Sequence, residues 1–313
     1  MFFSISFGIS CIIHKMNKKN KMGRLVIKNL TEQYNVMRVG MIRNIYSSNK
    51  IEKITIDSKN TKEDKKSFVI KFNGGVQAKE VTSLRKEVTA ILSVAQQNDE
   101  VILVLESAGG TVNGYGLAAS ELERIRSQGM NLTVLIDKVA ASGGYMMAVI
   151  ANRIIASPFA IIGSIGVLTE TVNFHELLEK KGIKYEQITS GQYKKTVSMF
   201  AKNTEEGRKK MQESLLQIHE SFKKLIQSKR PHVNITKIST GEFWLAMKAQ
   251  ELGLVDQIMT STNYLTTIYQ NNNQVYFIRY EMDTALIKNI ITSMDMLYNK
   301  LRNCNTLTLL FTP

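Results

Sequence analysis

Residues 101–107, VILVLES, open with five apolar residues in a row. A run this short and this apolar fits a strand buried on both faces, as in a parallel sheet. LTVLI at 132–136 repeats the texture, and SFVIKFN at 67–73 precedes both. Between the first two strands, Val81, Leu84, Val88, Ile91 and Leu92 recur at a spacing near that of a helix turn. A second helix is expected to end near Gln128, and a helix of small residues opens at Ser142. RIIAS, IGVLTE and IKYEQIT extend the alternation as strands, with NFHELLEKKG as a helix between the last two. NTEEGRKKMQESLLQIHESFKKLIQSKRP reads as one long helix, with Asn203 and Glu206 as a capping box and Pro231 as its stop. GEFWLAMKAQELGLVDQI reads as helix, then short strand. Strands that alternate with helices predict an α/β fold with parallel pairing and right-handed crossovers.

The chain divides by texture. Residues 1–22 are a short apolar segment, MFFSISFGISCII, with a basic flank at Lys15, Lys18, Lys19 and Lys21. Thirteen helical residues reach about 20 Å, against a hydrocarbon core of about 30 Å. The segment is too short to span and is expected to touch a membrane as an anchor. Residues 23–66 form a basic linker with some helix, 67–260 the main α/β domain, and 261–313 a peripheral C-terminal extension. Hydrophobic residues at 43% and charged residues at 22% are those of a globular protein. The net charge of +14 reads first as a basic, solvated surface and next as attraction to anionic lipid. Nucleic acid is not expected as a partner, because no aromatics interleave with the basic residues. Cys11 and Cys304 are the two cysteines, and neither has metal-ligand spacing. No metal or cofactor is expected.

DKVAASGGYMMA, residues 137–148, sets a lone hydroxyl, Ser142, among alanines and glycines. A serine at a helix start is most often an N-cap. The small neighbours Ala140, Ala141, Gly143 and Gly144 favour a second reading, a nucleophile cleared for the approach of another backbone. The N–H of Gly143 and the positive end of the helix would favour an anion beside it. AGGTVNGYGLAA, residues 108–119, matches a dinucleotide fingerprint by letter through Gly114, Gly116 and Ala119. The turn off the strand, however, is Gly109-Gly110, too early for that motif. What Gly109-Gly110 offers is a loop whose N–H groups can stabilise an oxyanion, or a plain turn needing positive φ.

A serine needs a base. His14, His175, His219 and His232 are the only histidines, and none sits in a small-residue or glycine-rich setting. A lysine is the other solution. SGQYKK at 190–195 supplies Lys194 and Lys195, each of which also reads as an ordinary surface lysine. In IIGSIGVLTE, Ser164 is either a turn hydroxyl or the group that holds the lysine amine.

Five motifs stand in order: Ser107-x-Gly109-Gly110, ASGGY, GSIGV, SGQYK and a closing A-x-x-x-GLVD at 249–256. Together, over Gly23 to Asp256, they resemble the signal peptide peptidase A family of serine proteases. The resemblance implies a ClpP/crotonase-like fold and a Ser-Lys dyad. It implies Ser142 as nucleophile, Lys194 as general base and Ser164 as the residue that orients the lysine. Gly109, with Gly143, would form the oxyanion hole. It also implies a homo-oligomer, associated with the bacterial inner membrane, that cuts short apolar peptides such as signal-peptide remnants. The chain departs from the family where Ala108 replaces a proline and where the N-terminal apolar segment is shortened. The basic flank argues for a cytoplasmic catalytic domain, whereas the family implies the outer face. A crotonase-type acyl-thioester enzyme would need the glycine loop but not Ser142 or Lys194. A catalytically idle membrane scaffold would need none of them.

Overall fold

The computed structural model describes residues 23–46, 65–271 and 274–282. The expected anchor at 1–22, the linker residues 47–64 and the stretch 283–313 lie outside the described residues. Along the chain come β1 (Arg24–Asn29), α1 (Leu30–Ile45), β2 (Lys66–Gly74), α2 (Val81–Leu92), β3 (Glu100–Ser107) and α3 (Val112–Ser127). Next are β4 (Asn131–Ile136), β5 (Val139–Ala141), α4 (Gly143–Ala148), β6 (Arg153–Ala156) and β7 (Ile161–Gly163). The rest are α5 (His175–Lys180), α6 (Glu205–Lys229), α7 (Ile235–Ile238), β8 (Phe243–Leu245), α8 (Ala246–Glu251), β9 (Gln257–Ile258), α9 (Ser261–Gln270) and β10 (Gln274–Glu281).

The chain forms two units. One comprises Met1–Ile27 and Arg279–Pro313, and in its described part Arg24 pairs with Glu281 at 3.5 Å. The other, Lys28–Ile278, carries the sheet in the order β10-β2-β3-β4-β6-β9, every pair parallel. Helices cover both faces, so the apolar runs need no polar alternate. From β3, Val101, Leu103 and Leu105 enter the larger core with α2 and α3, while Ile102 enters a smaller one with Val69, Leu135, Ile155, Val275 and Ile268 of α9. The predicted stripe of α2 is buried at Val81, Leu84, Val88 and Ile91. The α/β class and the parallel pairing agree with the sequence expectation.

A branch leaves this sheet. Beyond β4 the end of β3 takes a new neighbour, β5, with Ser107 opposite Ala140. β5 then pairs with β7, and β7 with the antiparallel β8. This branch holds the end of β5, where Ser142 follows.

The structure differs from the expectation in several places, one being GEFWLAM, where the strand β8 precedes the expected helix. IGVLTE and IKYEQIT form no strands; the strand of that region is β7, just upstream. Ile188 is 97% exposed, and a strand with neither ladder partner nor a face to bury has nothing to hold it. The N-cap of α6 is Thr204, whose side chain accepts the N–H of Gly207, while Asn203 instead serves Ser198. In the stretch expected to be a linker with some helix, α1 is that helix, and residues 24–29 add the strand β1. In the stretch expected to be peripheral, β10 lies beside β2, with Gln274 opposite Lys66 and Val275 fully buried. No helix among the described residues is long and apolar enough to cross a membrane.

Candidate active site

Ser142 follows the last residue of β5 and precedes α4. Its backbone sits at φ 51° and ψ −120°. For a residue with a Cβ this costs about 1–3 kcal/mol, strain that persists only where the surroundings impose it. They do so through two bonds. Ser142 N–H donates to the Gly163 carbonyl at 2.8 Å, and the Ser142 carbonyl accepts the N–H of Met146 at 3.0 Å. The side chain makes no capping bond. Although Ser142 occupies the N-cap position, its hydroxyl does not do a cap's work.

The glycines beside it answer to packing. A Cβ on Gly143 would lie 2.4 Å from Cγ of Tyr115, and one on Gly144 would lie 2.4 Å from the carbonyl oxygen of Ser107. The smallness that the sequence assigns to substrate clearance lets α4 press onto the end of β3 and onto α3. Gly109 has φ 94°, and a Cβ there would meet the amide nitrogen of Gly143 at 2.7 Å and Cβ of Ser142 at 2.8 Å. The loop after β3 and the start of α4 are thus in direct contact. The N–H of Gly109 donates to Ser107 Oγ at 3.1 Å. The N–H of Gly110 has no protein acceptor among the described residues, and Thr111 N–H donates to the Val76 carbonyl at 2.8 Å.

Ser164 comes next to Ser142 through the backbone, because the preceding residue, Gly163, accepts the Ser142 amide. It too has positive φ, at 51°, and its N–H donates to the Glu242 carbonyl at 2.6 Å. Lys194 lies in a different setting. It is exposed on a turn closed by its own N–H to the Gly191 carbonyl at 3.2 Å. Beside it, Gln192 and Tyr193 both donate to Glu206, at 3.0 and 3.2 Å. No hydrogen bond joins Lys194 or Lys195 to Ser142 or Ser164 among the described residues. Close contacts join Ser142, Gly143 and Gly109, and the bond from Ser142 to Gly163 brings in the residue before Ser164.

Two groups to which the sequence assigns no role of their own, Ser107 of the Ser107-x-Gly109-Gly110 motif and Tyr115, lie beneath these residues. Ser107 closes an apolar run and Tyr115 lies on the buried stripe of α3, so each reads as ordinary core. Their hydroxyls touch each other, and the Tyr115 hydroxyl also lies 2.9 Å from the Gly75 carbonyl. Behind α4, Tyr145 donates to the Leu254 carbonyl at 3.0 Å. There Arg230 pairs with Asp256 at 2.7 Å, and Asp256 also accepts the N–H of Ile154 at 2.6 Å. The Asp137 carboxylate accepts Ser261 N–H at 2.8 Å. No metal-binding cluster of His, Cys, Asp and Glu occurs among the described residues. An open groove of about 650 Å³ runs along α1, past Asn29, Glu32, Val36, Arg43 and Gln274, and includes none of the site residues.

Comparison with known proteins gives the same direction. Residues 124–275 match the profile of peptidase family S49, and residues 1–122 match its N-terminal profile. The chain is 40% identical to the probable protease SohB of Haemophilus influenzae, across 88% of this chain and 84% of that one. It is 40% identical to the putative protease SohB of Buchnera aphidicola subsp. Baizongia pistaciae, across 97% and 92%. With the probable protease SohB of Buchnera aphidicola subsp. Acyrthosiphon pisum, identity is 52% across 64% of this chain and 60% of the other. The loop after β3, the strained serine and the two flanking profiles converge, and the chain belongs to peptidase family S49.

Proposed function

We propose that this chain is a membrane-associated serine endopeptidase with a ClpP/crotonase-like fold, in which Ser142 is the nucleophile and Lys194 the general base. One observation carries the reading. Ser142 is held at a strained backbone angle with an uncommitted hydroxyl, against the glycine loop that follows a buried parallel strand. Strain of this kind gathers at functional sites. Ser142 Oγ attacks the peptide carbonyl while neutral Lys194 takes its proton; the lysine then protonates the departing amine. Water, deprotonated by the same lysine, attacks the acyl-enzyme, and the proton returns to Ser142 as the acid leaves. Gly143, at the start of α4, and the Gly109–Gly110 loop steady the negative oxygen formed in each half. In this structure the Gly109 N–H donates to Ser107, so to reach the oxyanion it must share or leave that acceptor; the Gly110 N–H has no such tie. Ser164 orients the lysine amine. The substrates are short or apolar peptides such as signal-peptide remnants, and residues 1–22 make the membrane contact.

A homo-oligomer fits the exposed arm that carries Lys194. Leu168, Val172 and Ile188 stand in solvent along it, and Phe174, Tyr185 and Phe200 pack only on one another among the aromatic pairs of that arm. Covered by a second copy, this surface would lose its contact with water, and the lysine would be presented to a neighbouring serine.

The experiment is hydrolysis of a fluorogenic peptide library by the unsubstituted chain, Ser142→Ala, Lys194→Met and Lys195→Met. The first and last are expected to cleave; the middle two are expected to lose about 10³-fold or more. Equal rates in all four would remove the dyad.

A further inference from the structure

We infer that Ser107 and Tyr115 form a positioning pair that fixes the glycine loop against the nucleophile, an inference that rests on the peptidase reading of Ser142. Both residues lie inside the fold, Ser107 at 2% exposure and Tyr115 at 0%. A hydroxyl so deeply buried must find partners. These two find them only in the segments that frame the site. Ser107 Oγ accepts the Gly109 N–H at 3.1 Å and donates to the Gly74 carbonyl at 3.0 Å. The Tyr115 hydroxyl touches Ser107 Oγ, which accepts its proton, and lies 2.9 Å from the Gly75 carbonyl, which shares that proton. The ring of the same tyrosine lies under Gly143, where no Cβ fits. One side chain therefore supports both backbone pieces beside Ser142: Gly143 through its ring, and the Gly109–Gly110 loop through Ser107, whose bond to the Gly109 N–H fixes the loop so that the untied Gly110 N–H can face the oxyanion. Burial, the larger influence, raises the Tyr115 phenol above its ordinary value, Ser107 acting in the opposite sense. The phenol remains a neutral hydrogen-bond donor.

Stabilising charge in a transition state depends on donors fixed beforehand. A loop that has lost its tether still binds a peptide but holds its N–H groups less accurately. Removing either hydroxyl therefore acts on kcat rather than on KM.

The test uses the full chain with Tyr115→Phe, Ser107→Ala, or both. Tyr115→Phe keeps the ring beneath Gly143, so it serves even where Ser107→Ala does not fold. On the best-cleaved library peptide, each single variant is expected to lose about tenfold in kcat, with KM within about twofold. The double variant is expected to lose no more than the worse single one, because both hydroxyls act through one chain of contacts. Hydrogen–deuterium exchange over residues 107–111 is expected to quicken in every variant. Unchanged kcat with unchanged exchange overturns the inference, as does a rise in KM with kcat preserved. If the unsubstituted chain shows no Ser142-dependent hydrolysis, the peptidase reading falls by itself. The exchange measurement then decides the pair: quickened exchange sustains it, and unchanged exchange ends it.

Discussion

At the scale of single residues, the strained backbone of Ser142 separates two losses that mutagenesis usually confounds. Ser142→Ala and Ser142→Gly both remove the hydroxyl, but only glycine accepts φ 51° and ψ −120° freely. Ser142→Gly is expected to be more stable than Ser142→Ala by about 1 kcal/mol, read from denaturant midpoints. Equal midpoints would mean that the angle costs nothing. Gly143→Ala moves the other way. Its new methyl would meet the Tyr115 ring at 2.4 Å, and overpacking of this kind costs about 1–3 kcal/mol. The variant is expected to melt earlier and to lose hydrolysis as the ring shifts. The sequence made the crowding of small residues around Ser142 visible. It did not make their reason visible, because nothing in ASGGY announces a tyrosine arriving from α3.

At the scale of elements, what could be read ahead was what repeats. β2, β3, β4 and α2 each run long enough for an apolar run or a helical stripe to declare itself. β5, β7 and β8 are three residues each, too short to show any period, and they are the strands that frame Ser142. The two false strands failed for the complementary reason: they have a suitable pattern and no neighbour. The candidate residues could be named from their motifs, whereas the support behind α4 could not, because it joins residues far apart in the chain. Arg230 and Asp256 lie 26 positions apart and hold the segment to which Tyr145 binds. Burial alone would raise the Asp256 carboxyl, but the bond from Arg230 and the N–H of Ile154 outweigh it, so it titrates below the ordinary range. A carboxyl lowered on folding adds stability that is complete above its unfolded value, about 4, and is lost as pH falls through its folded value. Asp256→Asn is expected to cost about 3 kcal/mol near neutral pH and to flatten the acid limb of the stability curve. An unchanged acid limb in that variant would take the role away from this pair.

At the scale of the whole molecule, the arm that bears Lys194 gives the proposed oligomer a direct test. If each lysine serves a neighbour's serine, mixing the inactive Ser142→Ala and Lys194→Met chains under subunit exchange restores part of the activity. Mixtures that stay inactive, although the chains exchange, would place both groups on one chain. The sheet has a further consequence, for the order in which the chain matures. β10 begins at Gln274 and lies beside β2, which begins at Lys66. A parallel pair cannot form before both strands exist, so on the ribosome the β2 flank waits while most of the chain is made. During that interval Val69 and Ile102 lack Val275 as a neighbour in their layer. The nascent chain thus carries Ser142 and its glycine loop well before the β2 flank can be paired, and nascent chains stalled short of Gln274 are the ones that holdase chaperones should retain.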